Sequence, residues 1–129
     1  MTGKLDECLE LPGPKFAPLD HKTRSSAPAE LHAAYKLQAS VYSALLGWNN
    51  FAASDRAYFA YYYPVRGAEL HEGFPFKVKI LECKVDLEYV ENILRSAKET
   101  LAMPAPPPPL GDCEYCAYAK AAGGKPWTS

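Results

Sequence analysis

The strongest structural constraint in this sequence is a Pro-Gly-Pro-Lys segment that separates two stretches with strand periodicity. In residues 3–10 apolar and polar side chains alternate, as they do when successive side chains of a strand point to opposite faces. Residues 16–22 read as a second strand, and two prolines around a glycine are typical of a turn. The chain therefore begins with a predicted β-hairpin whose turn lies at residues 11–15.

Helical periodicity follows the hairpin. Apolar residues at spacings of three and four predict a helix over residues 29–46, closed by Gly47, with Pro28 and Glu30 suited to its start. The predicted stripe consists of Leu31, Tyr35, Gln38, Tyr42 and Leu45. The glutamine in this stripe is either part of a site or a buried amide bonded to the sheet backbone.

Two further strands and a second helix complete the predicted order. An aromatic run at residues 57–63 and an alternating stretch at 76–83 predict strands. Asp86 is a suitable N-cap for a helix over 87–102. The order β-β-α-β-β-α predicts an α/β fold with a sheet flanked by helices.

We expect residues 1–102 to form the core domain and residues 103–129 to form a proline-rich linker and tail. Five prolines at positions 104–109 predict a stiff polyproline II connector. Beyond it, Cys113 and Cys116 form a C-x-x-C motif, which offers two thiolates where structural zinc or iron–sulfur sites use four ligands. A tight turn with reduced thiols and a second metal site, for zinc or an iron–sulfur cluster, both remain open.

Composition excludes several classes of protein. A length of 129 residues suits one domain, and a formal net charge of −1 excludes an overall basic nucleic-acid binder, although not a local basic patch. No apolar run reaches the ~18 residues of a membrane helix, and the N-terminus lacks the apolar core of a signal peptide. We therefore expect a cytoplasmic protein, without a membrane partner, whose four cysteines form no disulfide framework.

Two acidic residues of the predicted hairpin are candidates for chemistry. Asp6 and Asp20 can approach within a few ångströms across the hairpin, where their mutual repulsion favours a bound divalent cation. Lys22 lies two residues after Asp20 and therefore on the same face of the strand. Such a metal polarises a phosphate and activates water, and the lysine orients that water or neutralises developing charge. An ordinary Asp/Lys pair on a surface strand is the alternative.

The ordered set of motifs resembles the PD-(D/E)XK nuclease superfamily, in its RecB-like branch. The motifs are G-x-x-D, D/E-x-K and Q-x-x-x-Y, matched by Gly3 and Asp6, by Asp20 and Lys22, and by Gln38 and Tyr42. The resemblance implies a restriction-endonuclease-like mixed sheet. It also implies catalytic roles for Asp6, Asp20, Lys22, Gln38 and Tyr42. The ligands of Mg²⁺ or Mn²⁺ would be Asp6, Asp20 and the backbone carbonyl of His21.

The same resemblance implies an activity. A RecB-like enzyme of this type would be a metal-dependent deoxyribonuclease that hydrolyses phosphodiester bonds in DNA, with DNA repair as its process. The family core usually begins with a helix before the first aspartate. We therefore expect this chain to be a fragment, the product of a truncated reading frame, or a domain whose helix another chain or domain supplies. The alternative is a catalytically incomplete nucleic-acid-binding or protein-interaction module that retains the nuclease fold.

The sequence leaves several other residues open. Arg24 follows the lysine and is either a phosphate contact or part of a solvated loop. For Tyr35, and for the three consecutive tyrosines at positions 61–63, packing in the core is favoured over a role in a site.

Overall fold

The computed structural model describes residues 2–65, 67, 73, 75–108 and 111–123. Its elements are the strands β1 (Glu7–Leu11) and β2 (Lys15–Thr23), helix α1 (Ala33–Trp48), strands β3 (Arg56–Pro64) and β4 (Phe76–Lys84), and helices α2 (Leu87–Leu101) and α3 (Glu114–Ala121). They belong to two compact units, Met1–Val90 and Glu91–Ser129. The domain boundary expected after residue 102 stays a prediction.

The sheet of the first unit is mixed and has the order β1-β2-β3-β4. The hairpin partners β1 and β2 are antiparallel, β2 and β3 are parallel, and β3 and β4 are antiparallel. A parallel pair needs a crossover, which α1 provides between β2 and β3. The predicted α/β fold with a mixed sheet of the restriction-endonuclease type is therefore confirmed.

Helix α1 packs against β2, β3 and β4 and covers one face of the sheet. The core between them contains buried aromatic, aliphatic and small side chains. Its buried members are Leu31, Ala39, Ala57, Phe59, Tyr61 and Cys83. The apolar face of β4 points the other way, so that Val78 and Ile80 are 53% and 56% exposed.

Two predicted boundaries are wrong for identifiable reasons. The first strand begins at Glu7 rather than at residue 3, because the Asp6 carboxylate accepts the backbone N–H of His21 (3.1 Å) where a strand carbonyl would otherwise do so. Helix α1 begins at Ala33 rather than at residue 29. Pro28 is buried and its carbonyl accepts a hydrogen bond from Lys79 Nζ (2.9 Å), which holds this segment against the sheet.

The ends of the helices also differ from expectation. His32 caps α1, and its Nδ1 accepts the N–H of Ala34 at 3.2 Å. Gly47 lies inside α1 rather than closing it, and Asn50 has the left-handed φ of 64° that follows the helix. Asp86 caps α2 as predicted, since its Oδ1 accepts the N–H of Tyr89 at 2.9 Å.

The linker and tail contain one element that the sequence did not predict. Residues 104–108 of the proline segment form neither helix nor strand, while 109, 110 and 124–129 lie outside the described residues. The C-x-x-C motif begins helix α3 rather than forming an isolated turn, with Cys113 as its N-cap.

Candidate active site

Strand β2 presents Asp20 and Lys22 to helix α1. Because successive side chains of a strand alternate between its faces, both residues point to the same face of the sheet. Their register partners on β3 are Phe59 and Tyr61, which belong to the core under α1, so this is the face that α1 covers. Asp20 is only 5% exposed. A carboxylate buried to this degree is unfavourable unless opposite charge and hydrogen-bond donors compensate for its lost hydration.

Helix α1 supplies one such donor, Gln38, and a partner for it one turn later, Tyr42. Gln38 Nε2 donates to Asp20 Oδ1 at 3.0 Å, and the same nitrogen lies 3.2 Å from the hydroxyl oxygen of Tyr42. The two helical residues are four apart, which places their side chains on one face of α1. Gln38 therefore bonds to the carboxylate of Asp20 rather than to the sheet backbone.

Lys22 completes the arrangement. Its Nζ lies 2.6 Å from Asp20 Oδ2 and donates to Gln38 Oε1 at 3.2 Å. The ammonium also lies 4.7 Å from the centre of the Tyr35 ring, within the range of a cation–π contact. Four of the predicted site residues, Asp20, Lys22, Gln38 and Tyr42, thus form one bonded group. Tyr35 packs against the core as favoured, and its ring also contacts this group.

Asp6 lies beside this group at the start of the hairpin. Its Oδ2 accepts the backbone N–H of His21, the residue between Asp20 and Lys22. Even-numbered residues of this segment bond towards β3, as Arg24 N does with Tyr62 O at 3.0 Å, whereas His21 N is directed to the β1 side. Because the N–H and C=O of an extended residue leave the strand on the same side, the His21 carbonyl points to the side on which Asp6 lies.

The imidazole of His21 is held on the opposite face of the sheet. Its Nδ1 lies 3.1 Å from the Tyr62 hydroxyl, and its Nε2 lies 3.2 Å from Glu7 Oε1. These contacts join β1, β2 and β3 at the position of the predicted backbone ligand. Glu7 was not predicted from the sequence, and for Tyr62 packing in the core was favoured. The available signal was strand alternation, which places both residues on the His21 face once the register is known.

Arg24 lies just beyond β2 with an exposed side chain. This location is compatible with both interpretations that the sequence left open, and the phosphate contact stays a prediction.

One oxygen of Asp20 is held by Lys22. The buried Oδ2 forms an ion pair with Lys22 Nζ at 2.6 Å, and no other group of the described residues directs a hydrogen bond to it. A hard carboxylate oxygen of this kind, together with Asp6 and a backbone carbonyl, is the donor chemistry that Mg²⁺ and Mn²⁺ prefer. No three His, Cys, Asp or Glu side chains gather as a metal site in the part of the chain that the structure describes, so the predicted set depends on the carbonyl.

The C-x-x-C motif is a separate feature in the second unit. The backbone N–H of Cys116 donates to Cys113 Sγ at 3.4 Å. Hydrogen bonds from the Cys116 thiol and from this amide lower the pKa of Cys113, whereas the pKa of Cys116 is raised. A metal at these thiols stays a prediction, since no third ligand of the described segments joins them.

Comparison with known proteins agrees with this geometry. A family model for the PD-(D/E)XK nuclease superfamily matches residues 1–121. The chain belongs to this superfamily, whose members are nucleases that typically use divalent metal ions and act on nucleic acid. Neither curated proteins nor solved structures give a significant match. None of the described helices is long and apolar enough to cross a membrane.

Proposed function

We propose that the protein is a RecB-like deoxyribonuclease that uses Mg²⁺ or Mn²⁺ to hydrolyse phosphodiester bonds in DNA. The observation that carries the proposal is the bonded group of Asp20, Lys22, Gln38 and Tyr42. These are the residues that match the second and third motifs of the superfamily, and α1 and β2 bring them together.

Each residue of the group has a distinct task in this proposal. Asp20, Asp6 and the His21 carbonyl would hold the cation, which would polarise the phosphate and acidify a water molecule. Lys22 neutralises the negative charge that develops on the phosphate. Gln38 bonds to Asp20 and Lys22 at once and so fixes their separation, and Tyr42 holds Gln38 from the next helical turn.

A surface groove supports a path for the DNA backbone. The groove has a volume of about 270 Å³ and begins one residue after Arg24. Its lining combines Ser25, Ser26, Tyr63 and Lys77 with the apolar residues Ala27, Pro64 and Val65. Cationic and hydroxyl side chains are the usual phosphate contacts of proteins that bind nucleic acid. A cytoplasmic location, a role in DNA repair and a helix supplied by another chain or domain stay predictions.

The decisive experiment measures cleavage of single- and double-stranded DNA, and of RNA of the same sequence, with Mg²⁺, with Mn²⁺ and with a chelator. We expect metal-dependent cleavage of DNA that falls about 100-fold or more in Asp20→Asn and in Lys22→Met. Asp55→Asn and Lys15→Met are matched controls, because both residues are exposed and lie outside the bonded group. Circular dichroism checks that every variant is folded.

The alternative is a module that retains the fold without catalysis. It is favoured by one contact, since Lys22 Nζ already lies against the oxygen of Asp20 that a cation would need. Calorimetric titration with Mn²⁺ separates the two possibilities. A folded protein that binds no Mn²⁺ and cleaves no nucleic acid would be such a module.

A further inference from the structure

The hydroxyl of Tyr61 is a buried polar group that the core does not use. Tyr61 is 0% exposed, and within the described residues its hydroxyl has no hydrogen-bond partner. The ring is well placed in the core, with its centre 6.4 Å from that of Phe59. A phenylalanine would provide the same packing without burying an unpaired oxygen, which is unfavourable. Packing alone therefore does not account for a tyrosine at this position.

Tyr61 lies directly beside Lys22 on the neighbouring strand of the sheet. Tyr61 and Lys22 are register partners on the parallel strands β3 and β2, and both point towards α1. Burial raises the pKa of Tyr61, and Tyr35 raises it further, which together outweigh the lowering by the positive charges of Arg24 and Lys22. The hydroxyl is therefore neutral at physiological pH and retains lone pairs that can accept a hydrogen bond.

Lys22 is committed to the oxygen that the proposed function assigns to a cation. Its ammonium contacts Asp20 Oδ2, Gln38 Oε1 and the ring of Tyr35. An ammonium and a divalent cation repel each other strongly when they share one carboxylate oxygen. Lys22 must therefore leave Oδ2 when a cation binds there, and its freed N–H needs an acceptor in a buried environment.

We propose that Tyr61 is a positioning residue whose hydroxyl accepts a hydrogen bond from Lys22 Nζ when a divalent cation occupies Asp20 Oδ2. The proposal rests on the proposed function, because it needs the cation site. Gln38 Oε1 retains one N–H of the ammonium, and the Tyr61 hydroxyl takes the N–H that Asp20 releases. Lys22 then stays within the site, where it faces the phosphate, instead of turning away from the new positive charge.

The test is a double-mutant cycle on Mn²⁺ affinity, measured by calorimetry with wild type, Tyr61→Phe, Lys22→Met and the double variant. Loss of one hydrogen bond to a charged group predicts that Tyr61→Phe binds Mn²⁺ about tenfold more weakly. In the Lys22→Met background the same substitution is expected to have no effect. Tyr58→Phe, on the same strand but the opposite face, is the matched control.

Two further measurements separate positioning from a structural role. The metal-free Tm of Tyr61→Phe is expected to equal or exceed that of wild type, because the substitution removes an unpaired buried oxygen, while kcat for DNA falls with little change in KM. Equal Mn²⁺ affinity of Tyr61→Phe and wild type would overturn the proposal and leave the proposed function standing. Equal weakening in both backgrounds would also overturn it, and a wild type that binds no Mn²⁺ would refute it together with the proposed function.

Discussion

Gln38 Nε2 donates to Asp20 Oδ1 at 3.0 Å, and this hydrogen bond connects helix α1 to the strand that carries the D-x-K motif. The other end of the same amide accepts from Lys22 Nζ at 3.2 Å. A single neutral side chain therefore satisfies an acid and a base whose charges already compensate each other. The arrangement explains why a glutamine lies in an otherwise apolar stripe of α1.

Replacement of Gln38 by leucine should destabilise the fold. The leucine fits the apolar stripe, but it leaves Asp20 Oδ1 without its donor and Lys22 without one acceptor, at a cost of about 1–3 kcal/mol in the free energy of unfolding. Urea denaturation measures this quantity. Lys36→Leu adds a leucine to an exposed position of the same helix and should leave the stability nearly unchanged. A fully stable Gln38→Leu variant would show that the amide contributes nothing to the fold.

Replacement of Lys22 by methionine should cost more, and the loss should respond to metal. The substitution leaves the Asp20 carboxylate buried without its counter-ion, which typically costs about 3–5 kcal/mol. A divalent cation that binds only the folded protein restores stability by mass action. Thermal unfolding with and without Mn²⁺ should therefore show a larger rise in Tm for Lys22→Met than for wild type.

The control for this prediction is Lys15→Met, at the exposed start of the same strand. Its Tm and its response to Mn²⁺ should match those of wild type. A Lys22→Met variant as stable as wild type without metal would contradict the burial argument, and equal Mn²⁺ responses would contradict the replacement of the ammonium by the cation.

Local patterns predicted the parts of the site that depend on local geometry. Strand alternation placed Asp20 and Lys22 on one face, and helical spacing placed Gln38 and Tyr42 on one face of α1. The role proposed for Tyr61 was not predictable in this way. It depends on the parallel register of β2 and β3, which involves residues about forty positions apart and is set by how α1 crosses the sheet.

The two errors at the start of β1 and α1 have a similar origin. Residues 3–6 alternate as a strand does, but a side chain, Asp6, takes the hydrogen bond that would have continued the ladder. Pro28 suits a helix start by its own preferences, yet its carbonyl is bound by Lys79 from β4. In both places a tertiary hydrogen bond overrides a local propensity.

The glycine of the first motif should be sensitive to size. A Cβ at Gly3 would lie 2.9 Å from Leu45 Cδ1 and 3.1 Å from Tyr42 Cε1, so any side chain must displace them. Flexible ends of side chains yield to one methyl group, and we expect Gly3→Ala to cost less than ~1 kcal/mol, whereas Gly3→Val should cost about 1–3 kcal/mol. The displaced Tyr42 ring should also lower the rate of DNA cleavage.

A glycine in open space provides the comparison. Gly47 lies in α1 with no atom within 4 Å of an added Cβ, so Gly47→Ala should stabilise the protein by about 0.5–1 kcal/mol through helix propensity. If contact with Tyr42 and Leu45 is what limits Gly3, urea denaturation should give changes of opposite sign for Gly3→Val and Gly47→Ala, and only Gly3→Val should cleave DNA more slowly. Normal activity of a stable Gly3→Val variant would contradict this.

The thiols should differ in their reaction with iodoacetamide, which attacks the thiolate. Hydrogen bonds from Cys116 lower the pKa of Cys113, while burial raises the pKa of Cys83, an effect that Lys36 partly offsets. A lowered pKa preserves the thiolate as the pH falls, so Cys113 should be alkylated faster than Cys83 at pH 7 and should retain its reactivity to lower pH.

Mass spectrometry of the labelled peptides between pH 5 and 9 measures each cysteine separately. Cys116→Ala removes the strongest hydrogen bond to Cys113 and should shift its labelling profile to higher pH, whereas Cys8→Ser should not. Protection of both thiols by added Zn²⁺ would support the predicted second metal site. Hydrogen bonding lowers the pKa of Cys113, whereas burial raises the pKa of Cys83. If Cys113 reacted no faster than Cys83 at pH 7, the hydrogen bonds at the start of α3 would not stabilise the Cys113 thiolate.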